Sequence, residues 1–188
     1  QLLKKNKYNK ILLRNRNQLD LTDFKKVDFF FKKNKPKFMI MCAARVGGIL
    51  ENKKYPIEFL LDNLSIQNNL LLASKKYKLN RIIFLGSSCI YPKISKIPIK
   101  ESYLMSGKLE ETNEAYAIAK IAGIKLCSIL HDQYGKDIIC LMPTNVYGKN
   151  DNFDIKSSHV IPGMITKFIN ANKLKKNVKI WGTGKPIR

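Results

Sequence analysis

Tyr116 and Lys120 stand four residues apart in "NEAYAIAKIAGIKLC". On a helix that spacing puts both side chains on one face. An ammonium then lies near a phenol and can lower its pKa from about 10. A phenol so activated can give a proton to a carbonyl oxygen as hydride reaches the carbon, or take it back in reverse. Alone, a tyrosine four residues before a lysine is a common accident on amphipathic helices. Context adds to it. "GSSCIYP", residues 86–92, closes an apolar run upstream, and Ser87 there could hydrogen-bond the same carbonyl. Cys89 projects to the same side as Ser87 if the chain stays extended, because side chains then alternate with a period of two. A small buried side chain is the ordinary reading of such a cysteine.

The elements that must position these groups alternate along the chain. Residues 10–13 ("KILL") read as a strand and 22–34 as a helix capped by Thr22 or Asp23. Residues 37–44 ("KFMIMCAA") read as a second strand. A long helix over 56–77 has Pro56 in its first turn and lysines in its last. Residues 81–86 ("RIIFLG") form a third strand, fully apolar beyond its first residue like the buried strands of a parallel sheet. A helix over 113–135 follows, with Asn113 as cap and Gly135 as stop. Then come a strand at 137–143, a helix at 159–172 and a strand at 178–181.

This order argues for a doubly wound α/β domain with a parallel sheet. Such sheets bind ligands beyond the carboxyl ends of their strands. The segments "RNRNQ", "CAARVGG", "GSSCIYP" and "PTNVYG" therefore share one rim. A dinucleotide-binding fold opens with a strand and a glycine-rich turn. Here "QLLKKNK" reads as the tail of the helix after that turn, so the chain is expected to be a fragment, inactive and poorly folded alone. In the strand order 3-2-1-4-5-6 the absent strand would lie between "KILL" and "RIIFLG".

Composition excludes several classes. The formal net charge is +21, but only five of the 35 basic residues are arginines. The lysines are spread along the whole chain, whereas nucleic-acid readout favours clustered arginine forks; no nucleic-acid partner is expected. No apolar run is long enough for a membrane span, and "QLLKKNKYNK" is no signal peptide. Cys42, Cys89, Cys127 and Cys140 form no C-x-x-C pair and no metal-like spacing with His131 and His159. A reducing, cytoplasmic setting without metal or disulfides follows. "LLRNRNQLDL" presents Arg14 and Arg16 and no acid before Asp20, which favours NADP over NAD at the ribose-binding position.

Ser, Tyr and Lys in this order resemble the short-chain dehydrogenase/reductase superfamily, in its extended, nucleotide-sugar-modifying branch. "AARVGGI", "NKKYPIEFLLDNLSIQNNLL", "FLGSSCIYP", "ETNEAYAIAKIAGIKLC", "QYGKDIICLMPTNVYGKNDNF", "SSHVIPGMITKF" and "WGTGKPIR" each resemble, in order, blocks of the GDP-L-fucose synthase family. That resemblance implies a Rossmann fold and 3,5-epimerisation of GDP-4-dehydro-6-deoxy-D-mannose, followed by NADPH-dependent reduction of its 4-ketone. It implies Ser87, Tyr116 and Lys120 for the reduction, and Cys89 with His159 for the epimerisations. A thiol with pKa near 8.5 and an imidazole near 6.5 suit proton transfer beside a ketone.

The same resemblance implies NADP(H) contacts at Arg16, Ala43, Leu85, Gly86, Ser87, Ser88, Lys120, Pro143, Thr144, Asn145, Val146 and His159. It implies nucleotide-sugar contacts at Lys167, Trp181 and Arg188, with Lys167 standing where many relatives carry Arg. A homodimer through helices 56–77 and 113–134 is implied as well. The expected division is an NADP-binding domain over 1–158 and the start of a nucleotide-sugar region over 159–188. Plainer readings stay open: Ser87 and Ser88 as turn caps, His159 as a helix-end residue, Arg14 and Arg16 as surface charges. Alternative functions are a GDP-mannose 3,5-epimerase or a related enzyme, and a non-catalytic Rossmann-like binding protein.

Overall fold

The computed structural model describes residues 2–6, 8, 10–155 and 157–180. After a four-residue turn of helix, α1 (Leu2–Lys5), the first long element is α2 (Phe24–Asn34). Asp23 caps it, its carboxylate accepting from the Lys26 amide at 3.2 Å. Three parallel strands follow in chain order: β1 (Phe38–Met41), β2 (Arg81–Leu85) and β3 (Asp137–Leu141). The register pairs Phe38 with Arg81 and Phe84 with Cys140. Arg81 and Asp137, opposite one another at the start of their strands, form an ion pair at 2.6 Å.

Between β1 and β2 run α3 (Ile49–Lys54) and α4 (Pro56–Lys76). Pro56 begins α4, where its missing N–H costs no helical hydrogen bond. Between β2 and β3 lies α5 (Glu114–Tyr134), ended by Gly135 at φ 61°, whose N–H returns to the His131 carbonyl at 2.8 Å. α6 (Val160–Leu174) follows β3.

The core forms where α2, α4 and α5 cover one face of the sheet. Met41, Ile82 and Phe84 from the strands meet Val27, Phe31, Leu70, Leu71, Cys127 and Leu130 from the helices. The opposite face leaves Phe38, Ile40, Ile139 and Leu141 exposed. α4 and α5 pack tightly at Gly123. A Cβ there would stand 2.5 Å from both Gln67 Oε1 and Phe84 Cζ, so only glycine lets α5 approach β2 this closely. Gln67 Nε2 donates to the Ala119 carbonyl at 2.7 Å and ties the two helices at that level.

Three expectations need correction. Residues 10–13 make no sheet ladder, and Leu12 and Leu13 are exposed. A strand is stable only when a neighbour takes up its hydrogen bonds, and none lies beside this segment among the described residues. Residues 178–180 likewise form no strand, and 181 lies outside the described residues. The expected strand order is also wrong at one point: β1 pairs directly with β2. The unpaired edge of the sheet therefore belongs to β1, not to β2.

Candidate active site

β2 ends at Leu85, and the Gly86 N–H extends the pairing by donating to the Leu141 carbonyl at 2.8 Å. Ser87 is extended (φ −161°, ψ 151°), and the chain then turns into a short 3-10 segment, Ser88–Ile90. The Cys89 N–H donates to Ser87 Oγ at 3.4 Å. Ser87 and Cys89 are thus neighbours because the chain turns, not because it stays extended.

α5 brings its two residues to the same place. Lys120 is only 6% exposed, and its Nζ donates to the Leu85 carbonyl at 2.8 Å. That ammonium lies 5.7 Å from the Tyr116 ring centroid and 5.1 Å from that of Phe84. Phe59 of α4 meets the Tyr116 ring edge-on, centroids 6.5 Å apart and planes at 78°.

The electrostatics differ from the expectation for the phenol. Burial raises the Tyr116 pKa, and the nearby Cys89 thiol adds to the rise. The ammonium expected to lower it is held by the Leu85 carbonyl instead. Burial pushes Lys120 down, opposed by Cys89. Burial pushes the Cys89 thiol up, opposed by the Ser87 hydrogen bond and the Lys120 charge. Desolvation dominates at all three: it outweighs the opposing interactions at Cys89 and Lys120, and at Tyr116 the thiol adds to it. Ser87, Cys89, Tyr116 and Lys120 therefore form one interacting cluster at the carboxyl end of β2.

The loop after β1 frames the other side of the rim. Asn63, almost fully buried on α4, brackets Arg45: its Oδ1 accepts from the Arg45 N–H at 2.9 Å, and its Nδ2 donates to the Arg45 carbonyl at 3.0 Å. The Gly48 N–H donates to the Ser157 carbonyl at 3.3 Å, which joins this loop to the segment leading into α6. His159 caps α6 with its backbone and is exposed. Among the described residues no hydrogen bond joins it to Cys89. Lys167 lies half-buried further along α6, while Trp181 and Arg188 fall outside the described residues.

Of the expected cofactor positions, Ala43 and Pro143, Thr144, Asn145 and Val146 are exposed along the rim, next to half-buried Leu85, Ser87 and Ser88 and buried Gly86. Arg16 is exposed in a turn closed by reciprocal Asn15–Gln18 bonds of 3.1 and 3.0 Å. Arg14 instead lies over the Phe30 ring at 5.5 Å. An exposed guanidinium, a rim of accessible backbone and a buried ammonium at the strand end are donors that fit a phosphorylated dinucleotide. The residues that sequence reasoning missed are Phe59, Asn63 and Arg45. Only the buried spacing of Phe59 and Asn63 along α4 could have pointed to them.

Parallel strands with these groups at their carboxyl ends define an α/β domain of the dinucleotide-binding kind. Residues 1–188 match the NAD dependent epimerase/dehydratase family, and the chain belongs to it. It is 46% identical over 179 residues to a GDP-L-fucose synthase of Escherichia coli (strain K12), covering 95% of this chain and 56% of that protein. It is 48% identical over 180 residues to a GDP-L-fucose synthase of Sinorhizobium fredii, covering 95% of this chain and 57% of the relative. A crystal structure of a GDP-L-fucose synthetase from Naegleria fowleri bound to NADP superposes with a TM-score of 0.85 at 30% identity, over 100% of this chain and 62% of that one. The chain thus spans little more than half the length of the curated relatives it matches.

Proposed function

We propose that this chain carries the catalytic groups of a GDP-L-fucose synthase. Its substrate would be GDP-4-dehydro-6-deoxy-D-mannose, epimerised at C3 and C5 and then reduced at C4. The observation that carries the reading is the cluster itself: a thiol, a serine hydroxyl, a phenol and a buried ammonium at one strand end. The 46–48% identity to proteins of that name supports the substrate.

The 4-ketone acidifies the hydrogens at C3 and C5. Cys89 as base and His159 as acid would remove and return protons there on opposite faces of the sugar. Ser87 would hold the ketone oxygen, and Tyr116 would give it the proton that completes the alcohol. Lys120, fixed to the Leu85 carbonyl, keeps a positive charge beside the phenol as that proton leaves. NADPH, when bound, supplies the hydride. Arg16, Ala43, Leu85, Gly86, Ser87, Ser88, Lys120, Pro143, Thr144, Asn145, Val146 and His159 would hold it, and Lys167, Trp181 and Arg188 the nucleotide-sugar. Residues 1–158 would form the cofactor domain, and 159–188 would begin the sugar-binding part.

A homodimer through α4 and α5 accounts for their exposed Ile57, Leu61, Leu72, Ile118 and Ile129. No described helix is long and apolar enough to cross a membrane, which fits a cytoplasmic enzyme of nucleotide-sugar synthesis. The test is to incubate the full-length protein with GDP-4-dehydro-6-deoxy-D-mannose and NADPH. One NADPH consumed per GDP-L-fucose formed, identified by NMR, is the expected result. Epimerisation without net NADPH oxidation would replace this reading with a pure epimerase. Binding without turnover would replace it with a non-catalytic relative.

A further inference from the structure

The Tyr116 ring lies between two groups from different elements. Lys120, one turn along α5, approaches it from one direction, and Phe59 of α4 meets it edge-to-face, as described above. The Phe59 ring is itself confined. It is 1% exposed, and its Cζ would stand only 3.1 Å from a Cβ added at Gly47. The Arg45 guanidinium lies 5.5 Å from its centroid and 5.8 Å from that of Tyr55. Arg45 is anchored in turn by Asp62, Nη1 to Oδ2 at 3.0 Å. The Phe59 carbonyl accepts from Asn63 Nδ2 at 2.7 Å, so the same asparagine holds the Phe59 turn of the helix and the Arg45 backbone.

We propose that Phe59 is a positioning residue for ketone reduction, setting the plane of the Tyr116 ring, and that Arg45 is the clamp that fixes Phe59. Its role rests on the reductase reading above. Aromatic pairs prefer the edge-to-face arrangement seen here, and a guanidinium over the ring stabilises it further. Tyr116 must present its hydroxyl to a ketone at hydrogen-bond distance, and small misplacements at such a step are costly. Cys89 belongs to the β2 turn and does not depend on the Phe59 ring for its position. Proton exchange beside the ketone should therefore survive a change that impairs reduction. A general loosening of the fold would impair both.

The test uses the full-length enzyme with the 4-keto substrate, following NADPH oxidation and, separately, solvent deuterium entering C3 and C5. Phe59→Leu should lower kcat for reduction about tenfold while the KM for NADPH and the exchange rate stay within about twofold. Arg45→Met should lower reduction, whereas Arg45→Lys, which keeps a cation over the ring, should restore most of it. Reduction and exchange falling together, or neither changing in Phe59→Leu and Arg45→Met, would overturn the assignment. A wild-type enzyme that neither reduces nor exchanges this substrate would instead remove the reductase reading, and the role of Phe59 with it.

Discussion

Gly123→Ala tests how the site is built more sharply than any change to a reacting group. Alanine is the better helix former, so by propensity alone the substitution in mid-α5 should stabilise by about 1 kcal/mol. Packing opposes it. The new methyl would stand 2.5 Å from Gln67 Oε1, 2.5 Å from Phe84 Cζ and 2.8 Å from Gln67 Cδ. Neither neighbour can retreat easily: Phe84 is fully buried, and Gln67 is buried and held to the Ala119 carbonyl at 2.7 Å. Overpacking of this kind costs about 1–3 kcal/mol, and two rigid contacts place it at the upper end. The net expectation is a loss of about 1–2 kcal/mol, or a fall in Tm of about 4 °C for a domain of this size. α5 would also move away from β2 and stretch the Lys120–Leu85 hydrogen bond. Calorimetry on the full-length protein measures the first effect and NADPH-dependent turnover the second. An unchanged or raised Tm would refute the claim that Gly123 sets the approach of α5 to the sheet.

Further predictions concern the same cluster. Asn63→Ala removes three hydrogen bonds, a buried one to Phe59 O and two part-buried ones to Arg45 N and O, and should destabilise by about 2–3 kcal/mol in urea unfolding. Lys120→Met removes the cation that lowers the Cys89 pKa. The thiolate fraction at pH 8 should then fall, and alkylation of Cys89 by iodoacetamide should slow; unchanged kinetics would mean that the two groups are not coupled. Cys89 and Tyr116 both have folded pKa values raised above their unfolded ones. The stability they contribute is present below the ordinary thiol and phenol range and is lost as pH rises through the raised values. Tm should therefore drop above about pH 9 and drop less in Cys89→Ser than in the wild type.

Much of this could be read from residue order, because local signals were strong where tertiary context was simple. α2, α4 and α5 carry a capping aspartate, a first-turn proline and a terminal glycine respectively, and three of the five apolar runs expected as strands form β1, β2 and β3. Spacing puts Ser87, Tyr116 and Lys120 forward as candidates, and the structure brings them to one strand end. What stayed hidden depends on partners distant in sequence. Residues 10–13 look like a strand but have no neighbour to pair with. The six-residue α3, "ILENKK", is too polar to show a helical period, although the buried Asn52 ties it to the Gly47 and Gly48 carbonyls. The raised phenol pKa is a consequence of burial, which spacing cannot supply. Phe59 carries no chemical signature, and only its contact with Tyr116 gives it meaning.

Under the proposed function, one cluster at the end of β2 would run two separable reactions. The most direct measurement is a comparison of Cys89→Ser with Tyr116→Phe in the full-length enzyme, with the 4-keto substrate in deuterium oxide and NADPH present. Cys89→Ser should lose deuterium entry at C3 and C5 while still reducing the ketone, giving a sugar that keeps the unepimerised configuration. Tyr116→Phe should keep the exchange and lose the reduction. If both variants lose both reactions equally, or if Cys89→Ser still epimerises, the assignment of these residues is wrong.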